Sequence, residues 1–126
     1  ALELARFLQG LGGDIEVNYP GLEKSPYHEI AEKQFRNGYG AIVTVRTGSK
    51  EKAFSIINSL KIPLIISNIG DTKTLVIHPE STIAAHISDE EKLQSGVFED
   101  LIRISVGIED IEDLKEDFKQ AIENNR

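Results

Sequence analysis

Residues 101–110 have the sequence LIRISVGIED, in which a strand pattern leads directly into the start of a helix. Apolar side chains at the even-numbered positions alternate with Arg103 and Ser105, and this period of two predicts a strand with one apolar face. We therefore expect Arg103 on the face opposite the isoleucines. Two interpretations are open: a solvated side chain, or a guanidinium that binds an anionic ligand because its planar fork matches a carboxylate.

Composition and charge restrict the class of protein to which the chain can belong. Its 126 residues are enough for one domain with a hydrophobic core, and 40% of them are hydrophobic. The formal net charge of −7 disfavours binding to the phosphates of nucleic acids. We see no apolar run long enough for a membrane span and no signal-peptide pattern, so we expect a cytoplasmic protein. The absence of cysteine excludes disulfides, thiolate metal sites and cysteine nucleophiles.

The first residues are typical of a helix that begins before the chain does. Apolar side chains recur at helical spacing in residues 1–10, and no capping residue precedes them. The chain also contains no methionine. We therefore expect the sequence to be a piece of a longer protein.

Helices and strands alternate imperfectly along the rest of the chain. The apolar segment 63–67 is predicted to be a strand that is buried on both faces. Other strands are predicted at 14–18, 40–45 and 74–78, and other helices after Ser25-Pro26, after Ser49, at 89–94 and after Asp110. Several connections are too short for a crossover helix. We therefore predict an α+β (two-layer) domain: a mostly antiparallel sheet of four to five strands with helices packed on one face.

No constellation of side chains predicts catalysis within the chain. His78 and His86 are eight residues apart, which suits surface or strand-end histidines better than metal ligands. The polar segment 67–71 is explained either by turn chemistry or by a loop that faces a ligand. The acidic run 109–117 predicts a solvated helix face. No nucleophile with an adjacent base is apparent.

Several blocks of the sequence, in order and correctly spaced, resemble one enzyme family. They are VNYPGL at 17–22, NIGD at 68–71, TLVIHP at 74–79 and LIRISVGIED at 101–110. The chain resembles the C-terminal domain of the Cys/Met-metabolism family of pyridoxal-phosphate (PLP) enzymes, and NIGD most resembles the O-acetylhomoserine sulfhydrylase branch. The resemblance implies the small domain of a fold-type I transferase, in which residues 1–13 end the helix linking to a large domain and residues 14–126 recognise the substrate.

The resemblance also implies roles for two residues and for the parts that lie elsewhere. Arg103 would form a salt bridge with the α-carboxylate of the amino-acid substrate, and Asn68 would lie near the same carboxylate. The lysine, aspartate and tyrosine that hold PLP belong to the large domain of the same protein, so this chain alone would bind no cofactor and be inactive. The whole protein would be a homotetramer that performs γ-replacement in methionine and cysteine biosynthesis. The alternative is a stand-alone α+β module that binds an amino acid for regulation.

Two positions depart from the pattern of the family. Ala84 stands where many members have histidine, and Glu80 stands where a small residue is common. Both follow His78 in the same segment. We therefore expect them to affect the local loop and the choice of substrate.

Overall fold

The computed structural model describes residues 1–126 and contains five helices and five strands. The helices are α1 (Leu2–Leu11), α2 (His28–Gln34), α3 (Lys50–Ser59), α4 (Asp89–Gln94) and α5 (Ile111–Glu123). The strands are β1 (Glu16–Asn18), β2 (Ile42–Arg46), β3 (Leu64–Ile65), β4 (Leu75–Ile77) and β5 (Leu101–Ser105). Every predicted element is present. No helix has the length and apolar character needed to cross a membrane.

The five strands form one mixed sheet in the order β1-β2-β5-β4-β3. Neighbouring strands pair antiparallel except for β3 and β4, which are parallel. The predicted α+β fold with a mostly antiparallel sheet is therefore confirmed. Strand β5 is central, so the segment 101–110 contributes the strand around which the sheet is built.

The core lies between one face of the sheet and the helices α1, α3 and α5. Strands β2 and β5 present Val43, Val45, Ile102 and Ile104 to this core. Helix α5 adds side chains including Phe118, which is 2% exposed, whereas α2 and α4 contribute none. Because successive strand residues point to opposite faces, β5 presents Arg103 on the face that these three helices do not cover.

Side-chain caps fix the beginnings of the helices. The Asp110 carboxylate accepts the Asp113 N–H at 3.4 Å, and Ser49 likewise caps α3, as the sequence predicts. The reciprocal capping box occurs in α4, between Ser88 and Glu91. The start of α5 is therefore fixed directly after the residues that follow β5.

The predicted burial of segment 63–67 on both faces is wrong. Strand β3 is only two residues long, and Leu64 and Ile65 are 42% and 59% exposed. It pairs only with β4 and therefore forms an edge of the sheet. The strand whose residues are all buried is β4, which lies between β3 and β5.

The predicted solvated face over the acidic run 109–117 is also wrong at its two ends. Asp117 is buried, and its carboxylate accepts backbone hydrogen bonds from Lys61 and Ile62 at 2.8–3.1 Å. The backbone N–H groups that follow α3 thereby obtain hydrogen-bond partners. Glu109 binds a loop on the other side of the sheet, as described below.

Candidate functional site

Arg103 lies near the centre of the sheet face opposite the helical layer. The register of β5 places it beside Thr44 of β2 and Ile77 of β4, neither of which carries a charge. Arg103 takes part in none of the ion pairs of the structure. Its Nε atom is buried and has no hydrogen-bond partner. Such an atom is costly to leave unsatisfied, which makes this guanidinium a candidate for binding a ligand.

Arg103 lines a cavity of about 700 Å³. The cavity walls include the exposed face of β1, β2 and β5, residues 24–27 and residues 95–98. Arg46 also lines this cavity, but its Nε lies 3.0 Å from Oδ1 of Asp100 and its guanidinium stacks 4.0 Å from the ring centre of Phe98. Arg103 is therefore the arginine of this cavity whose charge is not used within the protein.

The loop between β3 and β4 approaches Arg103 with its backbone. The carbonyl oxygen of Asn68 accepts a 2.8 Å hydrogen bond from Ser105 Oγ and a long one, 3.5 Å, from Nη2 of Arg103. The Asn68 side chain is exposed, and its Oδ1 accepts the N–H of Ile69 at 2.9 Å. The structure thus brings the two predicted site residues together, with the backbone of Asn68 facing Arg103.

The residues after Arg103 fix this loop against β5. A Cβ atom on Gly107 would lie 2.4 Å from the carbonyl oxygen of Thr72, so only glycine permits this approach. The Glu109 carboxylate accepts hydrogen bonds from both the N–H and the hydroxyl of Thr74, at 2.6 and 2.7 Å. Burial alone would raise the pKa of Glu109, but the hydrogen bonds from Thr74 outweigh it and hold the pKa below its usual value.

Sequence reasoning missed Ser105, Gly107 and Glu109 as residues that shape the site. For Ser105 the signal was the period of two along β5, which places it on the same face as Arg103. A glycine directly after a strand also indicates a close approach of another backbone. Neither signal alone identifies the partner, because loop 66–74 is about thirty residues away in sequence.

His78 has a structural place in the fold. It is 3% exposed, its Nδ1 lies 2.8 Å from Ser81 Oγ, and its Nε2 lies 2.7 Å from the carbonyl oxygen of Glu99. It sits directly after β4, as predicted for a strand-end histidine, and it ties that end to the residues before β5. No group of three histidine, aspartate or glutamate side chains could hold a metal ion.

The residues around the cavity do not by themselves fit PLP. A PLP enzyme holds its cofactor through a lysine that the protein positions. Lys24 is the lysine that lines this cavity, and it is exposed and takes part in no ion pair that would orient it. The cavity therefore contains an arginine without an ion-pair partner and one exposed lysine.

Comparisons with known proteins identify the family and support the fold. A family described as "Cys/Met metabolism PLP-dependent enzyme" matches residues 1–123. The chain is 42% identical over 124 residues to homocysteine synthase of Schizosaccharomyces pombe, covering 98% of this chain and 29% of that protein. It is 45% identical over 107 residues to O-acetyl-L-homoserine sulfhydrylase 1 of Thermus thermophilus, covering 84% of this chain and 25% of that protein.

Solved structures show the same likeness. A putative O-acetylhomoserine (thiol)-lyase of Campylobacter jejuni, which contains a pyridoxyl-lysine-phosphate, superposes with a TM-score of 0.90 at 36% identity, over 96% of this chain and 29% of that one. Cystathionine gamma-lyase from yeast superposes with a TM-score of 0.91 at 36% identity, over 98% of this chain and 32% of that one. The chain therefore spans less than one third of the length of these relatives.

Proposed function

The chain belongs to the Cys/Met metabolism family of PLP-dependent enzymes, and from this premise we propose that it is the domain that binds the substrate α-carboxylate in an O-acetylhomoserine sulfhydrylase-like enzyme. The observation that carries the proposal is the guanidinium of Arg103, which borders a cavity without an ion-pair partner and with a buried, unpartnered Nε. The names of relatives at 42% and 45% identity support the choice of reaction.

Arg103 is the anchor for the substrate in this proposal. A carboxylate can accept two parallel hydrogen bonds from one guanidinium, and such a pair would satisfy Nε as well as a terminal nitrogen. Charge-assisted hydrogen bonds of this kind contribute roughly 1.5–3 kcal/mol. The pair also fixes the orientation of the amino acid. Loss of this orientation would lower the reaction rate more strongly than the affinity.

Asn68 contributes to the same site in two ways. Its carbonyl oxygen accepts from Arg103 and Ser105 and thereby orients the guanidinium, but an oxygen cannot donate to a carboxylate. Its side-chain NH₂ group can donate, and Oδ1 is already used by the N–H of Ile69. We therefore assign the carbonyl of Asn68 to the positioning of Arg103 and its NH₂ group to the substrate carboxylate.

The whole protein would replace the acetate of O-acetylhomoserine by a sulfur nucleophile. With sulfide, the bond from Cγ to the acetate oxygen breaks, a bond from Cγ to sulfur forms, and the products are homocysteine and acetate. PLP supplies the electron-withdrawing chemistry of the family, and its binding groups would lie in a large domain outside these 126 residues. Alone, this chain would bind no PLP and have no activity. We further propose a cytoplasmic homotetramer.

The test is an assay of the full-length protein with PLP, O-acetylhomoserine and sulfide, with cystathionine as the competing substrate. We expect homocysteine and acetate to form in equal amounts, and we expect no product from the 126-residue chain alone. Cleavage of cystathionine without turnover of O-acetylhomoserine would overturn the assignment of substrate. Turnover by the isolated chain would overturn its assignment as a substrate-binding domain.

A further inference from the structure

Helix α4 is held in the protein by a lysine and not by apolar side chains. Lys92 is its only buried residue, at 9% exposure, whereas Leu93 is 61% exposed. The helix adds no side chain to the hydrophobic core. The contacts of the Lys92 ammonium therefore decide where α4 lies, since a buried ammonium needs a partner.

Glu80 connects that ammonium to the helical layer. Its Oε1 lies 2.8 Å from Nζ of Lys92, and its Oε2 lies 2.7 Å from Nζ of Lys50. Lys50 is the first residue of α3, which is anchored in the core by Ala53 and its neighbours. Asp89 adds only a longer contact to Lys92, at 3.5 Å. One carboxylate, with both oxygens in use, thus bridges α4 to α3.

This bridge is charged under ordinary conditions. Hydrogen bonds from Lys50 and then Lys92 lower the pKa of Glu80 to about 2. The side chains of Glu80 and Lys92 are 16% and 11% exposed, whereas that of Lys50 is 38% exposed, so the Lys92 end of the bridge is the more shielded from solvent. Arg46 and Asp100, two charged residues that line the same pocket as Glu80, form an ion pair with each other.

The bridged segments form one wall of the Arg103 cavity. Helix α4 leads directly into residues 95–98, and the N–H of Val97 donates to the carbonyl oxygen of Lys92 at 2.8 Å. Pro79 and Ile83, which are close to Glu80 in sequence, line the same cavity. Displacement of α4 would therefore move the wall that faces Arg103.

We propose that Glu80 is a positioning residue: by bridging Lys50 and Lys92, it holds the wall of residues 95–98 at the distance from Arg103 that the bound amino acid requires. The inference rests on the proposed function of Arg103, because the ligand is the amino acid that Arg103 anchors. Both oxygens of Glu80 are occupied by lysines, so it acts on the substrate only through the wall. It sets the affinity of the site and takes no part in the chemical step.

The test compares Glu80→Gln with unmodified protein in the full-length enzyme. We expect hydrogen exchange of residues 88–98 to accelerate at least about tenfold, while exchange in β5 stays unchanged. We expect KM for the amino-acid substrate to rise about three- to tenfold, with kcat within about twofold. The matched control is Glu3→Gln, which removes a 2.7 Å ion pair with Lys115 that joins α1 to α5. It should change neither quantity.

A second variant keeps the test valid if Glu80→Gln destabilises the whole domain. Lys50→Gln cuts the link to α3 and leaves Lys92 paired with Glu80. It should alter exchange and KM in the same direction. Unchanged exchange of residues 88–98 in both variants overturns the proposal, as does an equal rise of KM in Glu3→Gln. The exchange measurement does not depend on substrate, so it separates failure of this inference from failure of the role proposed for Arg103.

Discussion

Replacement of Arg103 by alanine in the full-length enzyme is the most direct perturbation of the site. Arg103 makes no ion pair within the protein, and its Nε has no partner. Its charge is therefore available to the substrate, and the loss of a charge-assisted pair costs about 1.5–3 kcal/mol. At about 1.4 kcal/mol per factor of ten, kcat/KM should fall about 10- to 150-fold. Arg103→Lys should recover only part of this loss, because lysine keeps the charge but lacks the planar fork.

The assay compares substrates with and without the α-carboxylate. With O-acetylhomoserine, the variant should be impaired as calculated, whereas with an analogue that lacks the carboxylate, variant and unmodified enzyme should be equally slow. The free energy of unfolding should change by less than about 1 kcal/mol, since no internal ion pair is lost. Arg6→Ala, at an exposed position on α1, is the matched control. Equal losses with both substrates would refute the role of Arg103 as a carboxylate anchor.

Three further predictions concern the loop, the ion bridge and the cofactor. Gly107→Ala should destabilise the fold by about 1–3 kcal/mol in urea unfolding and raise KM, because the new Cβ would meet Thr72 at 2.4 Å; unchanged stability would contradict the packing. The pKa of Glu80 is lowered from 4.5 to about 2, so Glu80 stabilises the fold above about pH 4.5 and loses this effect as the pH falls towards 2. The advantage of unmodified protein over Glu80→Gln should therefore be about 1–2 kcal/mol at pH 7 and shrink at pH 3, whereas a constant difference would count against the bridge. PLP mixed with this chain alone should give no borohydride-fixed adduct at a single lysine; a mapped, saturable adduct would show a cofactor site here.

The central strand and its helix could be predicted because local signals decide them. The alternation of residues 101–106 specifies a strand, and Asp110 caps the helix that follows. The same signals could not predict the edge position of β3. An apolar segment indicates a tendency to be buried, but it does not show which other strands will pair with it. Leu64 and Ile65 are exposed, and their strand is the last one of the sheet.

The candidate site could be predicted only in part. The period of two places Arg103 on the face opposite the core, but it cannot tell which charges other elements bring to that face. Arg46 lies on the same face and is neutralised by Asp100, which is 54 residues away in sequence. Only the three-dimensional structure distinguishes the paired arginine from the unpaired one. For the same reason the bridge through Glu80 has no local signal, since its partners lie 30 and 12 residues away.

The segment 101–110 couples the fold to the site through its register. Ile102 and Ile104 enter the core, while Arg103 and Ser105 lie on the opposite face of β5; Gly107 and Glu109, just after the strand, fix loop 66–74. A slip of one residue in the pairing of β5 would exchange the two sets, because side chains alternate strictly along a strand. The burial of the isoleucines is the dominant force against such a slip. The apolar core therefore determines where the guanidinium points, and the carboxylate anchor that we propose depends on residues on the other side of the sheet.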